Sequence, residues 1–179
     1  MLITSCLVFL QSLAEATEIK GPDIKIRNGA IYATAALSPN EKIIQDMKNG
    51  IAKEFRFYID IFRIWEFWPD EFIVGKLLVR TLKCDPVKTE FVATSNDGDI
   101  LIEKRFKSFE SMADWALTIE DLRVTKTQEL ETGAYYVRVT VESKIRDLPP
   151  VIGYFIIFLP EYEFRIRKNS AVFYIEPEK

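Results

Sequence analysis

Along residues 50–65 the chain alternates with a period of two. Ile51, Phe55, Phe57, Ile59 and Ile61 are apolar, and Ala52, Glu54, Arg56, Tyr58 and Asp60 between them are small, charged or mixed. An apolar face opposite a mixed face is the pattern of a half-buried strand. At ~3.3 Å per residue it would run about 50 Å, too long to stay flat in a small domain. The expectation is a strand that coils around a core or forms the spine of a sandwich, with the rest of the chain organised around it.

The other elements follow in order. Residues 24–27 and 30–37 flank Asn28-Gly29, the strongest two-residue hairpin signal. In Ser38-Pro39-Asn40-Glu41, Ser38 can cap a helix, Pro39 suits its first position and Glu41 completes a capping box. That helix should reach about Lys48 and stop at Gly50, burying Ile43, Ile44 and Met47. Residues 72–82, 87–94 and 100–106 read as strands, with a turn at Ser95-Asn96-Asp97-Gly98. Ser108 then caps a helix over 109–122, in which Phe109, Met112, Ala113, Ala116 and Ile119 recur at helical spacing. Residues 123–130 and 134–146 are expected to form a second hairpin, with Tyr135, Val137, Val139, Val141 and Ile145 on one face. Residues 162–167 give a last strand, and 171–175 a short one.

Sequential strands joined by short turns argue an α+β, β-rich fold. It is predominantly an antiparallel sheet, as a sandwich or a partly closed barrel, with two to three short helices. No linker or composition shift divides the chain, so residues 17–179 read as one domain. Residues 1–16 read as a cleaved signal peptide: an apolar run followed by Ala14-Glu15-Ala16. Ile3-Thr4-Ser5-Cys6 also resembles a bacterial lipidation site, with only two residues before it. After the signal no run of eighteen apolar residues remains, so nothing is expected to span a bilayer. The localisation expected is periplasmic, exported and soluble.

Composition narrows the chemistry. The 179 residues carry a net charge of −3 and no histidine. There is no basic excess to neutralise phosphates, which argues against nucleic acid. Without histidine the Ser-His-Asp and Cys-His arrangements and the usual zinc sites are gone. No GxGxxG, P-loop, HExxH or GxSxG occurs. No cofactor and no metal is expected, and the chain reads as no enzyme. Asn96-Asp97-Gly98-Asp99 is part of a calcium loop without its distant glutamate, and reads as a turn. Cys84, at a strand end, reads as structural.

Two stretches remain as candidate sites. Around the turn after the long strand, Trp65, Phe67 and Trp68 form a candidate patch for a protein partner, since aromatics anchor interfaces. Glu66, Asp70 and Glu71 beside them could instead be a glycosidase carboxylate pair, although acids and proline are ordinary in a solvated turn. Residues 151–159 are the greasiest stretch after the signal. Buried core is one reading, and an apolar lid over a small-molecule or lipid cavity, built on Val151, Tyr154, Phe155, Ile156 and Phe158, is the other. The charges of Glu103-Lys104-Arg105 and of residues 165–168 read as solvated faces or protection of a sheet edge.

The order of features resembles a bacterial family known as domain of unknown function 4390. The resemblance lies in the export signal, the helix leading into Asn49-Gly50-Ile51, and the long strand ending at Arg63 and Trp65. It continues in Arg105-Phe106 before Ser108-Phe109, Ala116, Tyr136-x-Arg138, Leu148-Pro149 and Tyr162-Glu163-Phe164. The C-terminal segment departs from the pattern, with no tryptophan after Trp115. The resemblance implies a periplasmic protein without assigned activity, found in genomic neighbourhoods with sensor kinases. A non-enzymatic accessory protein whose partner is another envelope protein, a sensor kinase among them, is the function expected. A carrier or sensor of an apolar ligand is the alternative.

Overall fold

The computed structural model of the chain describes residues 16–144 and 162–176. Its first hairpin is β1 (Glu18–Arg27) and β2 (Ala30–Ser38). They turn at Asn28 and Gly29, both with positive φ (49° and 65°), as a tight hairpin turn matching the strand twist requires. Ile31, Ala33, Ala35 and Leu37 face inward and are buried.

The pairing of β2 with β1 carries through Ser38, opposite Glu18, so Ser38 does not cap the helix. Asn40 does, its side chain accepting from the Ile43 N–H at 3.0 Å, and α1 runs Glu41–Lys48. Ile43 and Met47 are buried and Ile44 is half-buried, while Gly50 at φ 91° ends the turn.

The long strand, β3 (Lys53–Arg63), is eleven residues, shorter than the alternation suggested. Ile51 lies before it and is exposed, and Lys53 takes the inward position instead. β4 (Glu71–Asp85), β5 (Glu90–Asn96) and β6 (Leu101–Phe106) follow as a meander. Val87 is not in a strand. The Asp85 carboxylate accepts from the Val87 and Lys88 N–H groups at 3.0 Å and closes a turn there. Asn96-Asp97-Gly98-Asp99 is likewise a turn, Asp97 accepting from Asp99 and Ile100.

Ser108 caps α2 (Phe109–Leu117), accepting from the Ser111 N–H at 3.2 Å. The helix ends five residues short of 122 because the next residues find strand partners. β7 (Thr118–Lys126) pairs with β2, Thr118 opposite Ala36 and Ile119 opposite Ala35. The helix has no basic residue in its last turn. Arg80 of β4 supplies one, donating to the carbonyls of Trp115 (2.5 Å) and Thr118 (3.1 Å). Burial pushes the Arg80 pKa down.

A 3-10 turn (Thr127–Glu129) then carries the chain across to β8 (Gly133–Lys144) in the other sheet. β7 and β8 therefore do not form the hairpin expected. β8 pairs with β3 on one side, and on the other with β9 (Tyr162–Asn169) and β10 (Phe173–Ile175) end to end.

The fold is thus a β-rich, antiparallel α+β architecture. A three-stranded sheet, β1-β2-β7, faces a seven-stranded one in which β10 and β9 flank β8, followed by β3-β4-β5-β6. Among the described residues the sheets do not close into a barrel. Phe55, Phe57, Ile59 and Ile61 of β3, with Tyr135, Val137, Val139 and Val141 of β8, form the core floor, each 0–1% exposed. Met47 and Met112 seal it from the helices, and Cys84 is part of it. Among the described residues no helix is long and apolar enough to cross a membrane.

Candidate functional site: an aromatic tip and an arginine-lined groove

The connection from β3 to β4 leaves the core at Ile61 and carries its aromatics outward. Trp65 is 41% exposed, Phe67 87%, Trp68 77% and Phe72, at the start of β4, 56%. The loop's two ends are fixed by polar side chains. Arg63 donates to Glu131 (2.5 Å) and to the Thr132 carbonyl (3.0 Å), and its guanidinium lies 4.3 Å over the Trp65 ring. The bond to Glu131 holds Arg63 above its ordinary pKa. Trp65 Nε1 in turn donates to Glu71 at 3.0 Å. On the far side Tyr136 donates its hydroxyl hydrogen to Asp70 at 2.9 Å. Phe67 and Trp68 stand in solvent between these anchors.

The three aromatic residues singled out in the sequence are therefore together, with Trp65 drawn partly back and the other two free. Two of the three neighbouring acids, Asp70 and Glu71, are engaged in holding the loop.

Beneath the tip, the outer face of the large sheet carries a groove of about 590 Å³ lined by Asp60, Phe62, Arg138, Thr140, Arg165, Ile166 and Arg167. Alternation places all of these but Ile166 there: Asp60 lies opposite Arg138, and Thr140 opposite Arg167, across three adjacent strands. Arg138 lies 4.4 Å over the Phe62 ring and donates to Asn169 (3.1 Å) and to the Tyr136 hydroxyl oxygen (2.8 Å). Asp60 leans the other way, over β4. A Cβ at Gly75 would lie 2.1 Å from Asp60 Oδ1, so a side chain there would push the carboxylate aside. Burial raises the Asp60 pKa, with the Arg138 charge opposing. Arg165 pairs with the buried Glu142 at 3.0 Å.

Groove and tip are one connected system. Phe62 stacks on Tyr136 (5.5 Å between centroids) and meets Phe72 edge-on (5.8 Å), while Tyr136 links Arg138 to Asp70. Burial, and then the bond to Asp70, push the Tyr136 pKa up. The sequence did not reveal this groove, although Tyr136-x-Arg138 is a same-face pair on a strand, and that spacing was its one local signal.

A third polar cluster lies at the other end of β3. Lys53 Nζ is held by Asp46 of α1 (3.0 Å) and by Glu163 of β9 (2.8 and 3.0 Å), and Ser143 donates to the same Glu163 (3.1 Å). Burial works against the Lys53 charge, but the bonds and charges of Glu163 and Asp46 outweigh it and raise the pKa. This cluster ties helix, central strand and edge strand together. The candidate lid residues Val151, Tyr154, Phe155, Ile156 and Phe158, and residues 1–15 of the stretch read as a signal peptide, lie outside the described residues.

A family model described as a domain of unknown function (DUF4390) matches residues 14–170. No curated protein and no solved structure matches the chain.

Proposed function

The chain belongs to the DUF4390 family, and on that premise we propose that it is a non-enzymatic accessory protein of the bacterial periplasm that docks onto another envelope protein through its aromatic tip. The observation behind this reading is the pairing of exposure with fixation. Phe67 and Trp68 are more than three-quarters exposed on a loop whose ends are held by Arg63, Glu71 and Tyr136. Aromatic anchors dominate interface energetics, and a loop ordered beforehand loses less entropy on docking. Glu66, Asp70 and Glu71 around the anchors suit a partner pocket rimmed with lysine or arginine. A membrane-bound sensor kinase, suggested by the family's neighbourhoods, is the first partner to try. The lack of any histidine supports a non-catalytic role.

A photo-crosslinking residue at position 67 in living cells tests the reading. It should trap one envelope protein, and Trp68→Ala should abolish the adduct while leaving the melting temperature unchanged. The same probe at Val87, also highly exposed but remote in sequence, should trap nothing specific. Equal adducts from both positions would show that the tip has no privileged partner.

A further inference from the structure

The two ends of the seven-stranded sheet are finished differently. At one end β9 and β10 run along β8, and Lys168 Nζ reaches over to the Ile19 carbonyl of β1 at 2.9 Å, tying the sheets together. At the other end, among the described residues, β6 pairs with β5 alone. Proteins commonly protect such edges with bulges, prolines or charges. β6 is regular from Leu101 opposite Asn96 to Phe106 opposite Phe91, and it holds neither proline nor glycine. Its charges sit at 103–105, while Ile100, Leu101 and Ile102 are 58%, 70% and 44% exposed.

We propose that β6 is a self-association edge: two copies of the chain pair through it, antiparallel, about a two-fold axis perpendicular to the sheet. The Asp97 N–H donates to the Ile100 carbonyl (3.4 Å). The alternation of an antiparallel ladder then turns the N–H and C=O groups of Leu101, Glu103 and Arg105 away from β5. Such an axis requires each residue to face one of the same parity on the other strand. Two registers centre on β6. One sets Glu103 against its own copy, which places like charges together. The other centres on Lys104. It sets Glu103 opposite Arg105 of the second copy, twice, and Ile102 opposite Phe106 of the second copy, twice.

The second register matches charge with charge and apolar with apolar. Within the strand its one adverse contact is Lys104 against Lys104, since Leu101 falls opposite Lys107 just past the strand end, and the Lys104 ammonium already lies 4.9 Å over the Trp115 ring of its own chain. Glu103 and Arg105 are exposed and make no ion pair or side-chain hydrogen bond with any described residue of their own chain. They are available for this exchange. A strand of six residues buries less than the ~1,200 Å² of a standard interface, so the dimer is a weak one.

Light scattering and sedimentation of the purified protein from about 10 µM to about 1 mM test this. The mass should rise toward that of a dimer. Glu103→Arg puts arginine against Arg105, and Arg105→Glu puts glutamate against Glu103; each should raise the dissociation constant at least ~10-fold. An equimolar mixture of the two variants should dimerise again. The double variant, which exchanges the charges, should dimerise like the wild type. Weakening by Arg105→Glu separates this register from the one centred on Glu103, in which position 105 faces Leu101 of the second copy. Ile102→Lys, on the opposite face of the strand, is an independent disruption. All positions are exposed, so unchanged melting temperatures confirm folding. A wild type that stays monomeric at the top concentration, or single variants that dimerise undiminished, would overturn the proposal. Failure of the double variant to dimerise would overturn the register.

Discussion

Two neighbouring stretches of this chain have nearly the same appetite for burial and opposite fates. Phe55, Phe57, Ile59 and Ile61 are at most 1% exposed, whereas Phe67 and Trp68 stand largely in water a few residues later. What separates them is ladder pairing. The first set alternates on a strand with neighbours on both sides, β4 and β8, so every second side chain must enter the core. The second set sits where the paired strand has ended, and nothing in the backbone directs its side chains inward. Hydrophobicity proposes burial, and the sheet decides it. The contrast is broken most directly by truncation. Phe57→Ala should cost about 3–5 kcal/mol of unfolding free energy, as expected for a large cavity in a packed core. Trp68→Ala should stay within about 0.5 kcal/mol of wild type. Denaturant titrations of both variants measure the difference. A Trp68→Ala loss comparable to that of Phe57→Ala would make the tip part of the fold rather than a surface.

The inward row of β3 also contains its exception. Lys53 occupies an apolar slot because Asp46 and Glu163 arrive from two other elements to neutralise it. Lys53→Met should leave two carboxylates facing each other and cost roughly 3 kcal/mol near neutral pH, less than losing the phenyl ring of Phe57. The pH dependence has a definite sign. The lysine pKa is raised in the folded state. Its contribution is therefore fully present below the unfolded value of 10.5 and is lost as pH rises through the higher folded value. The stability gap between wild type and Lys53→Met should be flat from neutrality to about pH 10 and shrink only beyond it. A gap already closing at pH 8 would contradict the raised pKa.

These two cases mark how far the sequence could be read. The alternation of residues 55–61 and the Asn28-Gly29 turn are local signals, and each was legible, whereas the sequence left open whether the aromatics beside the Pro-Asp-Glu turn are exposed or fold back onto the sheet. Lys53 was not, because its partners lie 7 and 110 positions away. The end of α2 was misjudged for the same reason: the spacing of Ala116 and Ile119 continues a helix, and only pairing with β2 pulls Thr118 and Ile119 into a strand. β7 and β8 look like a hairpin until β7 finds its neighbour in the other sheet. The groove is the extreme case, since Asp60, Arg138 and Arg167 meet only through the register of three strands.

Between core and tip lies Tyr136, whose ring is packed on Phe62 while its hydroxyl serves the loop. Tyr136→Phe keeps the ring and removes the link between Arg138 and Asp70. The expected loss is about 1 kcal/mol. The more telling effect is local: amide exchange in the 64–70 loop should accelerate several-fold while β3 and β8 stay protected. Uniform acceleration across the sheet would mean that the hydroxyl supports the core instead of the tip.

The smallest expected effect makes the finest distinction, between two tryptophans three residues apart. Trp65 is held by the Arg63 guanidinium over its ring and by the bond from Nε1 to Glu71, whereas Trp68 shows neither contact and is nearly twice as exposed. Trp65→Phe discards the Nε1–H donor and should cost about 0.5 kcal/mol; Trp68→Phe discards no intramolecular bond and should cost less than can be measured. Fluorescence quenching inverts the order. Acrylamide reaches side chains in proportion to their exposure, so Trp68→Phe should remove the most quenchable part of the emission and Trp65→Phe a less accessible one. If both substitutions lowered stability equally and quenched equally, the two rings would be equivalent. The tip would then be one mobile aromatic cluster, without the division into a fixed base at Trp65 and a free contact surface at Phe67 and Trp68.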